Sequence, residues 1–170
     1  AKLPEQNNVH YDLIVLSRDF MDRSRSTKRK NELICGRLLK GADLADFLPD
    51  FGGDTLRIYF LFQGPPGRDY TFNWRGLVSA YRFVQHIWRL SQRCTEKRPD
   101  CSKKDDIRKL RSLVQDRVTQ KKPHTALAAI MGYLNETNAL TVAEVQMMAK
   151  LLGPFTPFLS AELTELVTTI

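Results

Sequence analysis

The stretch from Trp74 to Arg93 limits the possible folds most. Leu77, Ala80, Tyr81, Val84, Ile87 and Trp88 recur at steps of three and four residues, the spacing of one face of an α-helix. Arg82, His86, Arg89 and Arg93 recur at the same steps on another face, and Arg75 extends that stripe one heptad back. A helix with an apolar seam must bury it against other helices. Its cationic stripe is then left for solvent or for a partner. The segment therefore predicts a helical bundle with one charged flank.

The rest of the chain supplies further helices. Leu56, Ile58, Tyr59, Leu61 and Phe62 form a helical face that starts near Gly52-Gly53-Asp54 and stops at Gly64-Pro65-Pro66-Gly67. Ser102 is a predicted N-cap, with Asp105 and Asp106 in the first turns favouring the helix dipole. That helix runs to about Gln120 on Ile107, Leu110, Val114 and Val118, until Pro123 breaks the chain. His124 to Asn135 reads as another helix, and Thr141 with Glu144 as a capping box opening the next. Gly153, Pro154 and Pro157 interrupt it, and an amphipathic segment follows from about Phe158. No β pattern is convincing after residue 50; Leu13 to Leu16 fits a short strand or a helical turn equally well. The fold class expected is all-α. A bundle of four main helices fills 51–170, behind an irregular basic N-terminal arm at 1–50.

Charge is unevenly placed. The net charge is +7, yet residues 23–40 carry seven basic and one acidic side chain, and residues 75–122 carry fourteen basic and five acidic. Residues 123–170 carry one basic and four acidic. Two basic blocks set in acidic surroundings suit a polyanion such as RNA. The candidate RNA-binding residues are Arg23, Arg25, Lys28, Arg29 and Lys30 in the arm, Arg75, Arg82, Arg89 and Arg93 in the helix above, and Lys104, Arg108 and Arg111 in the next. Arginine favours phosphate because its planar fork pairs two oxygens at once. A solvated face, or an acidic protein partner, is the other reading of the same blocks. Tyr81, Phe83 and Trp88 share a helix with the apolar seam and are expected in the core rather than stacked on bases; Trp74, at a helix start, stays open.

Other chemistries find little support. Cys35, Cys94 and Cys101 have no metal-ligand spacing, and His10, His86 and His124 are scattered. No metal or cofactor is expected, and no nucleophile or Gly-rich phosphate loop is visible. No apolar run approaches the roughly 18 residues of a membrane span. The start at Ala1 instead of Met suits a processed product or a partial chain.

Three segments, in order, resemble one family. Phe51-Gly52-Gly53-Asp54-Thr55-Leu56-Arg57-Ile58-Tyr59, then Phe62-Gln63-Gly64-Pro65-Pro66, is similar to the Tyr-Gly-Ala-Asp-Thr-Leu-Arg run and Pro-containing turn of leucyl-tRNA synthetases. Trp74, Gly76, Tyr81, Arg82, Phe83, Trp88, Arg89 and Leu90 follow the family's next helix. Leu151-Leu152-Gly153-Pro154-Phe155-Thr156-Pro157-Phe158-Leu159 with Glu162-Leu163 resembles its Leu-Ala-Pro-Phe-Ala-Pro-His-Leu segment. The likeness covers about residues 43–165 and is better to the bacterial and organellar branch. It implies a class I synthetase anticodon-binding bundle, which in that family follows a Rossmann-type catalytic domain and packs inside the tRNA's L shape.

The resemblance also has gaps. The family's Lys-Met-Ser-Lys-Ser loop, counted back without gaps from Asp54, falls on Leu33, Ile34, Cys35, Gly36 and Arg37. A gapped alternative is Met21-Asp22-Arg23-Ser24-Arg25-Ser26. His-Ile-Gly-His is missing, and 50 residues leave no room for a nucleotide-binding sheet. The expectation is a non-catalytic RNA-binding module derived from a leucyl-tRNA synthetase, a subunit of a larger ribonucleoprotein such as the mitochondrial ribosome. Its partners would be tRNA or rRNA together with other proteins, without a membrane, and its location mitochondrial. The alternative is a tRNA-binding fragment or subunit of an active synthetase whose catalytic domain lies elsewhere.

Overall fold

The structure is a computed structural model that describes residues 14–17, 32–35, 38–40, 44–64, 68–94 and 104–169. Six α-helices dominate these residues: α1 (Leu48–Phe62), α2 (Trp74–Gln92), α3 (Lys104–Thr119), α4 (Pro123–Asn135), α5 (Val142–Leu152) and α6 (Pro157–Thr169). The bundle expected from the spacing of apolar residues is there, with α1 and α6 as full members beside the four longer-anticipated helices.

Local chemistry sets most helix ends. Asn73 caps α2, its side chain accepting the Arg75 N–H at 3.0 Å. The capping box of α5 is complete: the Glu144 N–H donates to Thr141 Oγ1 at 3.3 Å and the Thr141 N–H donates to Glu144 Oε2 at 2.8 Å. Tyr133 Oη, from α4, donates to the other carboxylate oxygen at 3.0 Å, which ties α4 to the start of α5. Pro123 opens α4 within its first turn, where a missing N–H costs nothing. The expected cap Ser102 lies outside the described residues.

α1 is two helical pieces joined at Gly52, whose φ of 75° and ψ of 160° are open to glycine and strained for other residues. The straight part begins beyond it, where the sequence suggested a helix start.

The elements share one core. α1 packs on α2, α4 and α6; α3 packs on α4 and α5; α5 packs on α6. Ile58, Leu77, Ile87, Leu127, Ile130, Leu134, Met148, Leu152 and Leu163 are fully buried in it. Each such side chain contributes about 1.5–3 kcal/mol relative to exposure. Phe83 is buried in the core and Trp88 packs half-buried against it, as expected, whereas Tyr81 is half-buried outside that cluster, its ring edge-on to Phe51 at 5.5 Å.

Among the described residues before position 50, three short strands precede α1. Ile14–Ser17 (β1) pairs in parallel with Glu32–Cys35 (β2), which resolves the open reading of Leu13 to Leu16 in favour of a strand. Leu38–Lys40 (β3) pairs in parallel with Tyr70–Thr71 (β4). The expectation of no strand after residue 50 is corrected by β4. Two residues are too few to show alternation, and backbone pairing to β3, not side-chain pattern, defines that strand.

Candidate nucleic-acid interface

α2 places its cations as the sequence spacing required. At 3.6 residues per turn, Arg75, Arg82, Arg89 and Arg93 fall within roughly 40° of arc on one side of the helix. All four are exposed. The opposite side carries Leu77, Ala80, Phe83, Ile87 and Leu90 into the core. α2 contains no acidic residue, and among the described residues none of the four guanidinium groups enters an ion pair. Arg89 Nε donates to the Gln85 carbonyl at 3.1 Å, which keeps that side chain along the helix surface.

Helix stability accounts for only part of this. Arg89 and Arg93 lie at the C-terminal end of α2, where cations favour the helix dipole. Arg75 lies in the first turn, where the dipole opposes a positive charge.

The second stripe sits on another helix. Arg108 and Arg111 are exposed on α3, on the flank of the face that buries Ile107, Leu110 and Val114. Lys104 lies in the first turn of the same helix. α3 packs on α4 and α5, whereas α2 packs on α1 and α6, so the two stripes belong to different layers of the bundle. α3 also carries Asp106, 3.7 Å from Lys109, and is thus less purely cationic than α2. Arg23, Arg25, Lys28, Arg29 and Lys30 lie outside the described residues.

Sequence spacing gave no sign of a cleft of about 590 Å³ beside the arginine flank. It opens between α1, α2 and the end of α4. Ile58, Tyr59 and Phe62 come from α1; Gly76, Ala80 and Phe83 from α2; and Met131 from α4. Gln63, Asn73, Ser79, Arg82, His86 and Asn135 supply its polar groups, with no carboxylate. His86, expected only to lengthen the basic stripe, is half-buried at the cleft wall next to Arg82. The cleft joins residues far apart in the chain, which no local pattern reveals.

Tyr59 holds one side of the cleft in place. It is 1% exposed and its hydroxyl accepts the Asn73 N–H at 2.8 Å. Burial pushes its pKa above the ordinary 10.0, partly offset by that hydrogen bond. The contact fixes the start of α2, and hence Arg75, to α1.

A second polar centre is structural. Asp54 is buried at 6% exposure, accepts the Leu159 N–H at 2.7 Å and accepts from Arg57 Nη1 at 3.1 Å. Arg57 in turn lies 5.3 Å over the Phe158 ring. The Asp-Thr-Leu-Arg run of α1 thus caps and grips the first turn of α6. It does not line the cleft.

Among the described residues no group of His, Cys, Asp and Glu could hold a metal, and no helix is long and apolar enough to cross a membrane. Cys94 is a half-buried free thiol.

No protein-family model matches the chain. It is 29% identical over 183 aligned residues to the leucine–tRNA ligase of Nitratidesulfovibrio vulgaris, an alignment covering 86% of this chain and 20% of that protein. It is 30% identical over 131 residues to the leucine–tRNA ligase of Borrelia garinii subsp. bavariensis, covering 72% of this chain and 15% of the relative. The chain therefore spans a fifth or less of the length of these relatives. Its fold is similar to that of a leucyl-tRNA synthetase of Agrobacterium radiobacter K84, crystallised as a ternary complex with tRNA and LeuAMS. The TM-score is 0.63 at 19% identity, over 88% of this chain and 24% of that one. Methionyl-tRNA synthetase of Mycobacterium tuberculosis, in its apo form, gives a TM-score of 0.63 at 15% identity, over 86% and 39%. Over most of its length the chain is similar in sequence to leucyl-tRNA synthetases, and its helical fold is that of class I synthetase domains.

Proposed function

From this likeness to leucyl-tRNA synthetases we propose that the chain is an RNA-binding module that seats tRNA or a tRNA-like RNA on the arginine flank of α2. The observation that carries this is the set of four exposed guanidinium groups, none in an ion pair among the described residues, along a helix without a single carboxylate. Such contacts fix position on the phosphate backbone without reading sequence. The relative crystallised with tRNA supports RNA as the polyanion. In this reading the chain does not catalyse aminoacylation by itself. In support, the positions aligned without gaps to the family's catalytic loop, Leu33 to Arg37, contain one cation, and its first three residues belong to β2. A role in a larger ribonucleoprotein, inside mitochondria, with protein neighbours on the remaining surface, completes the proposal.

The test is a salt titration of tRNA binding. For the intact chain, log affinity should fall linearly with log salt. Replacing Arg75, Arg82, Arg89 and Arg93 by Ala should flatten the slope by about 0.7–0.9 per contacted phosphate. An unchanged slope would remove the flank from the interface.

A second reading, a tRNA-binding part of an active synthetase, draws on the fact that the matched relatives are leucine–tRNA ligases. Leucylation of tRNA that appears only when this chain is added to a catalytic partner would favour it.

A further inference from the structure

The arginine flank accounts for phosphates and leaves the adjoining cleft without a role. We infer that this cleft takes one unstacked nucleobase of a single-stranded RNA segment, with the neighbouring phosphates on Arg82 and the guanidinium groups beside it. The inference rests on the RNA-binding reading above.

The size fits. About 590 Å³ lies within the roughly 300–1,000 Å³ of small-molecule sites and exceeds what one nucleoside fills. The walls fit as well. Phe62 stands at the cleft, 43% exposed as a residue, a platform on which a base can stack. Buried Tyr59 and Phe83 form the apolar floor. Gln63, Asn73 and Asn135 are carboxamides, each with donors and an acceptor that match the polar edges of any base. Asn73 Oδ1 is already used by the Arg75 N–H, so what this residue has left to offer is its NH2 group, a donor.

Gly76 gathers these groups. A Cβ there would stand 3.2 Å from the Tyr59 ring, 3.6 Å from Gln63 Nε2 and 3.7 Å from Asn73 Nδ2. Only the ring contact is tighter than an ordinary one, so the missing side chain is what lets α2 lie against the Tyr59 ring, with both amides at normal contact distance beside it.

Charge selects the class of ligand. Arg82 lies at the cleft and no carboxylate lines it, which favours an anion-bearing occupant. A purely apolar ligand would cover the Gln63 and Asn135 carboxamides and the Arg82 guanidinium without offering them a hydrogen bond, an unfavourable exchange. A base within a duplex is stacked on both faces and cannot enter, whereas an unpaired base can.

The experiment compares a short single-stranded RNA with its blunt duplex, each binding to the full chain at one salt concentration. Ser79 is exposed on the cleft wall, so Ser79→Trp fills the space without touching the core. Phe62→Ala removes the stacking platform. Each should weaken single-strand binding by about tenfold and leave duplex binding unchanged. If both variants bind the single strand as the parent does, or lose both RNAs equally, the inference is overturned. The fourfold arginine variant should weaken both RNAs. If it weakens neither, the RNA-binding reading itself falls, and that outcome is distinct from failure of the cleft alone.

Discussion

Asp54 serves two partners with one carboxylate. One oxygen accepts the Leu159 N–H, an otherwise unsatisfied donor in the first turn of α6, and the other accepts from Arg57. Pro157 opens α6 with no N–H to offer, so the cap falls on Leu159. Because the carboxylate is buried, Asp54→Ala should lower the unfolding free energy by about 2–4 kcal/mol, the sum of a lost cap and a charged hydrogen bond. Arg57→Ala should cost well under about 1 kcal/mol, since its side chain is 46% exposed. Urea unfolding of both variants checks the difference; equal losses would place the energy in the ion pair instead of the cap. Tyr59 gives a pH signature. Its folded pKa is raised above 10.0, so on alkalinisation the unfolded state releases the phenolic proton first. The stability it contributes is complete below pH 10.0 and is lost as pH rises through the higher folded value. Tyr59→Phe should remove that alkaline share of the decline while starting from a lower stability, because the Asn73 N–H loses its acceptor. Urea midpoints of parent and variant, followed through the alkaline range, should converge; parallel curves would contradict this.

At the level of elements, local chemistry decided what could be read in advance. The Thr141–Glu144 pair is a complete instruction within four residues, and α5 starts where it says. The apolar steps of α2 gave its length and, in Leu77, Ala80 and Ile87, half of its buried face; Tyr81, Val84 and Trp88 are only half-buried, and Phe83, Leu90 and Ser91 complete the buried side. α6 has no comparable N-terminal signal, because its cap comes from a residue in α1. β4 is visible only as a partner of β3. Gly52 is intermediate: the glycine pair marked a start, and the structure adds a sharp turn at φ 75° between two helical pieces. No atom lies within 4 Å of a Cβ built on Gly52, so Gly52→Ala should cost only backbone strain, about 1–3 kcal/mol. Gly53→Ala is the control. Its new Cβ would meet the movable end of Arg57 at 3.2 Å, and the effect should be small. Thermal unfolding of the two variants separates them; similar shifts would mean that the turn tolerates a side chain.

Across the whole molecule, charge is divided along the chain. The chain from 75 to 122, with α2 and α3, is strongly basic, while residues 123–170, with α4 to α6, carry one basic and four acidic side chains. That division was legible from the sequence, since it needs only a count along the chain. The separation of the two arginine stripes onto different helix layers was not, because it depends on which helices touch. The cleft was the least legible feature, being assembled from residues between Ile58 and Asn135. The Asp54–Leu159 hydrogen bond spans 105 positions, and this bears on how the protein is made. A ribosome releases α1 long before it has synthesised the turn that α1 must grip. Until then a carboxylate destined for the interior has only Arg57 and water as partners, and α1 lacks its contact with α6. The bundle is consequently clasped last at its C-terminal end, and a nascent chain stalled short of Leu159 would stay open to chaperones and proteases.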